Sequence, residues 1–287
     1  MDAELYKELV NKVKAEITIS ENADREIAIG FASCIAVQLD NDGKDYELCL
    51  SEICQIATTI ANPSSKSRKD LLDELDDFEK KFDLSKPVSL LCADTDKVKS
   101  YVFGSAKLPE VRGASIILDE LNKSGIEKIF SKDELNVCKE CLIYYAGGSV
   151  MAIVPSCKAQ EICKEIEKMY LNTTKVATIT AIAEPFHLYE YCFGLNANNF
   201  SCEDFKEMWR KSDPKQKKII RNYYDIKADE PSDKDLEDAF EKTKGFNELT
   251  RFMTNRLKVA KQNKESVPYF ETGRFLRLCD SCQSKTA

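Results

Sequence analysis

Apolar positions recur at helical spacing through the first third of the chain and change character after Pro87. Leu5, Leu9, Val13 and Ile17 fall every fourth residue and predict an amphipathic helix. Tyr46 to Ala61 predicts a second helix with Leu50, Ile53, Ile56 and Ile60 inside, broken by Asn62–Pro63–Ser64–Ser65. Ser67 to Phe82 predicts a third, with Leu71, Leu75, Phe78 and Phe82 on one face. Ile27 to Leu39 is apolar enough to read as helix or strand. After Pro87, Val88 to Ala93 reads as a buried strand running into Asp94–Thr95–Asp96. Ala114 to Leu121 reads as a helix. Leu142–Tyr145 and Val150–Val154 read as strands, Cys157 to Tyr170 as a helix, and Val176 to Ala183 as a last strand that Pro185 ends.

The order is β-α-β-β-α-β, a split ferredoxin-like unit. The expected fold class is therefore α+β: a ferredoxin-like palm flanked by an N-terminal helical domain and a C-terminal helical region. The expected boundaries are 1–86, 87–195 and 196–287. In the last part Trp209, Ile219, Ile220, Phe240, Phe246, Leu249 and Met253 are expected in the core, and Pro231 to Asp235 to open a helix.

Between the middle strands stand Gly147 and Gly148. Gly-Gly is a hairpin signal, because both central residues of a tight turn can take positive φ. Palm domains of nucleotidyl cyclases and polymerases carry acids just after such glycines, opposite a carboxylate on an earlier strand, and the pair holds metal ions about 3.5–4 Å apart. Here Asp94 and Asp96 supply the earlier carboxylates, but the hairpin continues with Ser149 and Val150. Half of a two-metal site is missing. Asp94 and Asp96 read either as remnants of it or as a turn cap and a solvated acid. Gly147 and Gly148 allow a nucleotide close to the backbone, and Ser149 offers a hydroxyl; a plain hairpin explains the glycines equally well. Lys107 and Arg112 read as phosphate contacts or as a surface loop.

Composition narrows the class. Hydrophobic residues at 43% support a packed core, and no apolar run approaches the length of a membrane span. With an acidic start that lacks a signal-peptide core, the expected location is the cytoplasm. Net charge of −7 argues against a broad nucleic-acid surface. A local one is offered by Lys206, Arg210, Lys211, Lys215, Lys217, Lys218 and Arg221 near Trp209, Tyr223 and Tyr224; a solvated helix face is the competing reading. Most of the 12 cysteines lie singly, but Cys138/Cys141 and Cys279/Cys282 are C-x-x-C pairs. Such a pair is half of a tetrahedral thiolate zinc site. The remaining ligands for Cys279 and Cys282 are Cys138 and Cys141 or lie elsewhere, and a core role for Cys141 is an equal reading. His187 is the only histidine and reads as a surface or core residue.

Four features in order resemble the large, palm-containing subunit of type III CRISPR effector complexes. They are Asp94 to Phe103, Ser105 to Ser115, the Gly147–Gly148 hairpin, and Pro268–Tyr269–Phe270–Glu271–Thr272 running into Cys279 and Cys282. The resemblance covers about residues 88–287. That family makes cyclic oligoadenylates and carries two palms, one with intact acids and one without, separated by a zinc knuckle. The resemblance implies that this chain holds the degenerate first palm and the start of the knuckle, with the catalytic palm C-terminal to residue 287. It implies zinc, ATP with Mg²⁺, other effector subunits and guide or target RNA as ligands and partners, and a role in antiviral defence. No membrane partner is expected, since no apolar run is long enough to span one. The family's HD nuclease needs adjacent His-Asp and further histidines, which residues 1–86 lack. A stand-alone cyclase and a purely structural module are the competing functions.

Overall fold

A computed structural model describes residues 1–63, 67–96, 98–103, 107–175, 177–195, 197–242 and 245–264, except for the side chains of Ser100 and Asp133. Helix α1 (Ala3–Glu16) starts at Asp2, whose carboxylate accepts from the Leu5 amide. It buries Tyr6, Leu9, Val10 and Val13, and Leu5 faces solvent instead. The buried stripe is shifted by one residue from the expected one, because Tyr6 and Val10 face the core. The ambiguous apolar segment is a helix, α2 (Asn22–Asn41), apolar nearly all round because it is buried on several sides. Then follow α3 (Leu50–Ala61), preceded by a short 3₁₀ turn, and α4 (Arg68–Lys81), capped by Ser67.

Strand β1 (Val88–Thr95) is followed by α5 (Val98–Val102), α6 (Leu108–Glu120), a π turn at Leu121–Gly125 and α7 (Ile126–Ile129). The hairpin is β2 (Leu142–Ala146) and β3 (Ser149–Pro155); α8 (Ala159–Thr174) and β4 (Ile179–Phe186) complete the unit. The four strands form one antiparallel sheet in the order β2-β3-β1-β4, with Leu91 opposite Ala152 on one side and Ala183 on the other. Pro185 does not end β4 but lies within it, opposite Ser89. Proline is tolerated there because β4 is an edge strand, where a missing N–H breaks no ladder on the open side.

Beyond the sheet come α9 (Leu188–Phe193), α10 (Cys202–Lys211), α11 (Pro214–Tyr223), α12 (Asp233–Lys242) and α13 (Phe246–Asn263). A continuous apolar core joins α1–α4 to the sheet and to Leu249 and Met253 of α13. β1 is its centre, with Val88 to Ala93 all buried, so helices cover both of its faces. A second, smaller core holds Phe205, Trp209, Ile226, Leu236 and Phe240. Ile219, expected in the core, is 69% exposed, because α11 buries no residue.

The helical N-terminal part is tied to the end of β4 by a buried carboxylate. Glu79 of α4 accepts from the Leu188 amide at 2.7 Å and faces His187 Nδ1 at 2.6 Å. Burial pushes the Glu79 carboxyl above its ordinary range, and the contacts with His187 and the amide pull it back. Glu79→Ala leaves the buried Leu188 amide without its acceptor, takes the carboxylate from His187, and is expected to cost about 2–3 kcal/mol, measured by urea denaturation.

Candidate functional site

The site lies at the end of β1 where the Gly-Gly turn meets it. Gly147 and Gly148 have φ of 63° and 89°, so the turn needs residues free of the Cβ clash. The turn is bound from two sides. The Gly148 carbonyl accepts from the Thr95 amide at 2.8 Å and from its hydroxyl at 2.9 Å. On the other side stands Asn122, in the π turn after α6 and only 2% exposed. With its amide oxygen toward the turn, Asn122 accepts from the N–H groups of Ala146, Gly147 and Gly148 at 3.3, 3.2 and 3.1 Å. The other end of the amide lies 3.3 Å from the Tyr170 hydroxyl. The three turn amides thus converge on an internal acceptor, a geometry that elsewhere holds anions.

The acids are equally engaged. Ser149 donates to Asp94 Oδ1 at 2.8 Å, across the pair Asp94–Ser149 of the β1–β3 ladder. Thr178 and Thr180 donate to Asp96, each at 2.9 Å. Two lysines from the end of α13 complete the group. Lys261 Nζ lies 2.6 Å from Asp94, 3.3 Å from Asp96 and 3.0 Å from the Thr95 carbonyl. Lys264 Nζ lies 3.5 Å from Asp96, 3.1 Å from Glu167 of α8 and 2.5 Å from the Ile179 carbonyl. Two ammonium groups therefore stand against the three carboxylates at this strand end. Nothing in the local sequence announces Lys261, Lys264, Glu167 or Asn122, since each reaches the site from a distant element.

The structure thus brings together Asp94, Asp96, Gly147, Gly148 and Ser149. Lys107 and Arg112 lie at the exposed start of α6, with Lys107 3.8 Å from Glu110. Among the described residues, no hydrogen bond or ion pair ties Arg112 to the group. In the basic stretch, Lys206 pairs with Glu203 and Glu237, Arg210 with Asp233, Lys211 with Glu207 and Arg221 with Asp229. Much of that positive charge is answered within the chain.

Cys279 and Cys282 lie outside the described residues. Cys138 and Cys141 are buried where the turn before β2 meets α2. Cys141 Sγ lies 3.7 Å from Cys138 Sγ and 3.8 Å from that of Cys34. Contact with Cys141, then burial, pushes the Cys138 thiol well up, so it stays protonated at neutral pH. Among the described residues no three His, Cys, Asp or Glu side chains are arranged to hold a metal ion. Among them, too, no helix is long and apolar enough to cross a membrane.

No protein-family model matches the sequence, and no curated protein matches it. Among solved structures, an apo Csm1–Csm4 cassette is 19% identical over 50% of this chain and 20% of its own, with a TM-score of 0.33. Csm1 of T. onnurineus is 17% identical over 60% of this chain and 23% of its own, at 0.34. A Csm1–Csm4 cassette in complex with AMPPNP is 16% identical over 75% and 29%, at 0.35. The chain thus spans less than a third of the length of these solved chains, and a likeness this slight assigns it neither fold nor activity.

Proposed function

We propose that this chain is the non-catalytic, palm-like portion of a type III CRISPR-like effector large subunit. In this reading it presents a rigid sheet end that supports nucleotide binding and subunit assembly without turning nucleotide over. One observation carries the non-catalytic part. Asp94 and Asp96 are paired with Lys261 and Lys264, and Ser149 stands opposite instead of an acid, so no carboxylate set is left for two cations. The ordered motifs of residues 94–115, 142–154 and 268–282 support the family.

Within this reading ATP meets the hairpin from its solvent side, where Gly147 is exposed, and Lys107 and Arg112 supply positive charge. Zinc belongs to Cys279 and Cys282 in the same proposal; metal analysis of the purified chain tests it. The neutral thiols of Cys138 and Cys141 in their cluster with Cys34 make no closed ligand set on their own. A purely structural role is the second reading. It is favoured by the turn amides, which Asn122 already engages.

The test is ATP binding by calorimetry beside product analysis with Mg²⁺ or Mn²⁺. The expected result is saturable binding with no cyclic product and no pyrophosphate. A product that Asp94→Ala abolishes would move the chain to the nucleotidyl cyclases. Absence of binding leaves the structural role.

A further inference from the structure

Helix α13 is held in two different ways along its length. Its first half is anchored by apolar packing: Leu249 and Met253 are fully buried, and the Phe252 ring meets Phe186 edge-on with centroids 5.9 Å apart. From Thr254 to Lys264 no residue is buried. That second half is held by charge. Arg256 grips Glu184 of β4 through Nε and Nη2 at 2.9 and 2.6 Å. Lys261 bridges Asp94 and Asp96, and Lys264 bridges Asp96 and Glu167. The side chains of Lys261 and Lys264 are about a quarter exposed, at 26% and 28%. Salt therefore reaches and screens these pairs, while it leaves the apolar half untouched.

We propose that the last turns of α13 form an ionic latch on the acidic end of the sheet, hinged on the apolar first half of the same helix. Closed, the latch sets two ammonium groups against Asp94, Asp96 and Glu167 and holds the end of α13 on the sheet. Open, it exposes all three acids together. A cationic ligand at the strand end and the closed latch draw on the same carboxylates, so each opposes the other, and by linkage the opposition is mutual. The latch depends only on these contacts and stands whether or not the chain serves a CRISPR-like effector.

Amide hydrogen exchange on the full chain tests it. Lys261→Met/Lys264→Met is expected to speed exchange in residues 256–264 about tenfold, with α12 unchanged. Asp94→Asn/Asp96→Asn keeps acceptors for Ser149, Thr178 and Thr180 but removes the charge, and is expected to do the same. The quadruple variant should go little beyond the lysine pair, because the lysine pair already removes every ion pair that the two aspartates make with them. In the wild-type chain, rising salt should speed exchange in residues 256–264 before residues 246–253, a result that needs no variant to fold. Unchanged exchange in the lysine variant, effects that add in the quadruple variant, or uniform loosening of α13 by salt would each overturn the latch.

Discussion

Gly245→Ala is expected to destabilise the chain by about 3 kcal/mol or more, measured by chemical denaturation. Gly245 precedes α13, and its amide donates to the Cys192 carbonyl at 2.9 Å. A Cβ there would lie 2.0 Å from the Phe193 carbonyl carbon and 2.1 Å from the Gly194 nitrogen. Both are backbone atoms and cannot swing aside as a side chain can. The methyl group must push α13 off α9, and that loosens the contacts built on their close approach. Glu248 accepts from the Leu195 amide at 3.0 Å and from the Tyr223 hydroxyl at 2.6 Å, and Leu249 is fully buried. The same displacement carries Lys261 and Lys264 away from the strand end, so exchange at residues 256–264 should rise in this variant too. A loss under 1 kcal/mol would mean that α9 and α13 can part without cost.

Asn122→Leu is expected to cost about 3 kcal/mol, read by denaturation and by exchange of the amides at 146–148. Leucine has the branching and heavy-atom count of asparagine, but its methyl groups are bulkier than the amide and it offers no acceptor. The N–H groups of Ala146, Gly147 and Gly148 lose their shared partner, and the bulky side chain hinders water from replacing it. The Tyr170 hydroxyl, fully buried, loses its neighbour at 3.3 Å as well. The turn should become mobile while β1 and β3 stay paired further from it. ATP binding separates the two functional readings: a stiff turn that supports nucleotide loses affinity when it loosens, and a purely structural hairpin binds none with either residue at 122.

Much of the fold was legible because its signals are local. The apolar run of β1, the Gly-Gly turn and the helical spacing in α8 each lie within a short window. Periodicity could not decide α2, because a helix buried on several sides shows no polar face. It placed Leu5 and Ile219 inward although both are exposed, since an apolar residue carries no mark of the side it faces. In the sequence Pro185 reads as a stop, and only the position of β4 at the sheet edge makes it a strand residue.

The site divides along the same line. Sequence alone determined the mixed α and β content, the adjacency of Asp94 and Asp96 to a hairpin, and the presence of Ser149 and Val150, rather than acids, after its glycines. These follow from residue identity at fixed local spacing. Tertiary structure alone decided what neutralises those acids and caps that turn. Lys261 and Lys264 reach Asp94 and Asp96 across more than 160 positions, and Asn122 reaches the turn amides from a π turn in another element. Ionic and hydrogen-bond partners depend on distance in space, and no local pattern in a chain encodes which distant side chain the fold will deliver.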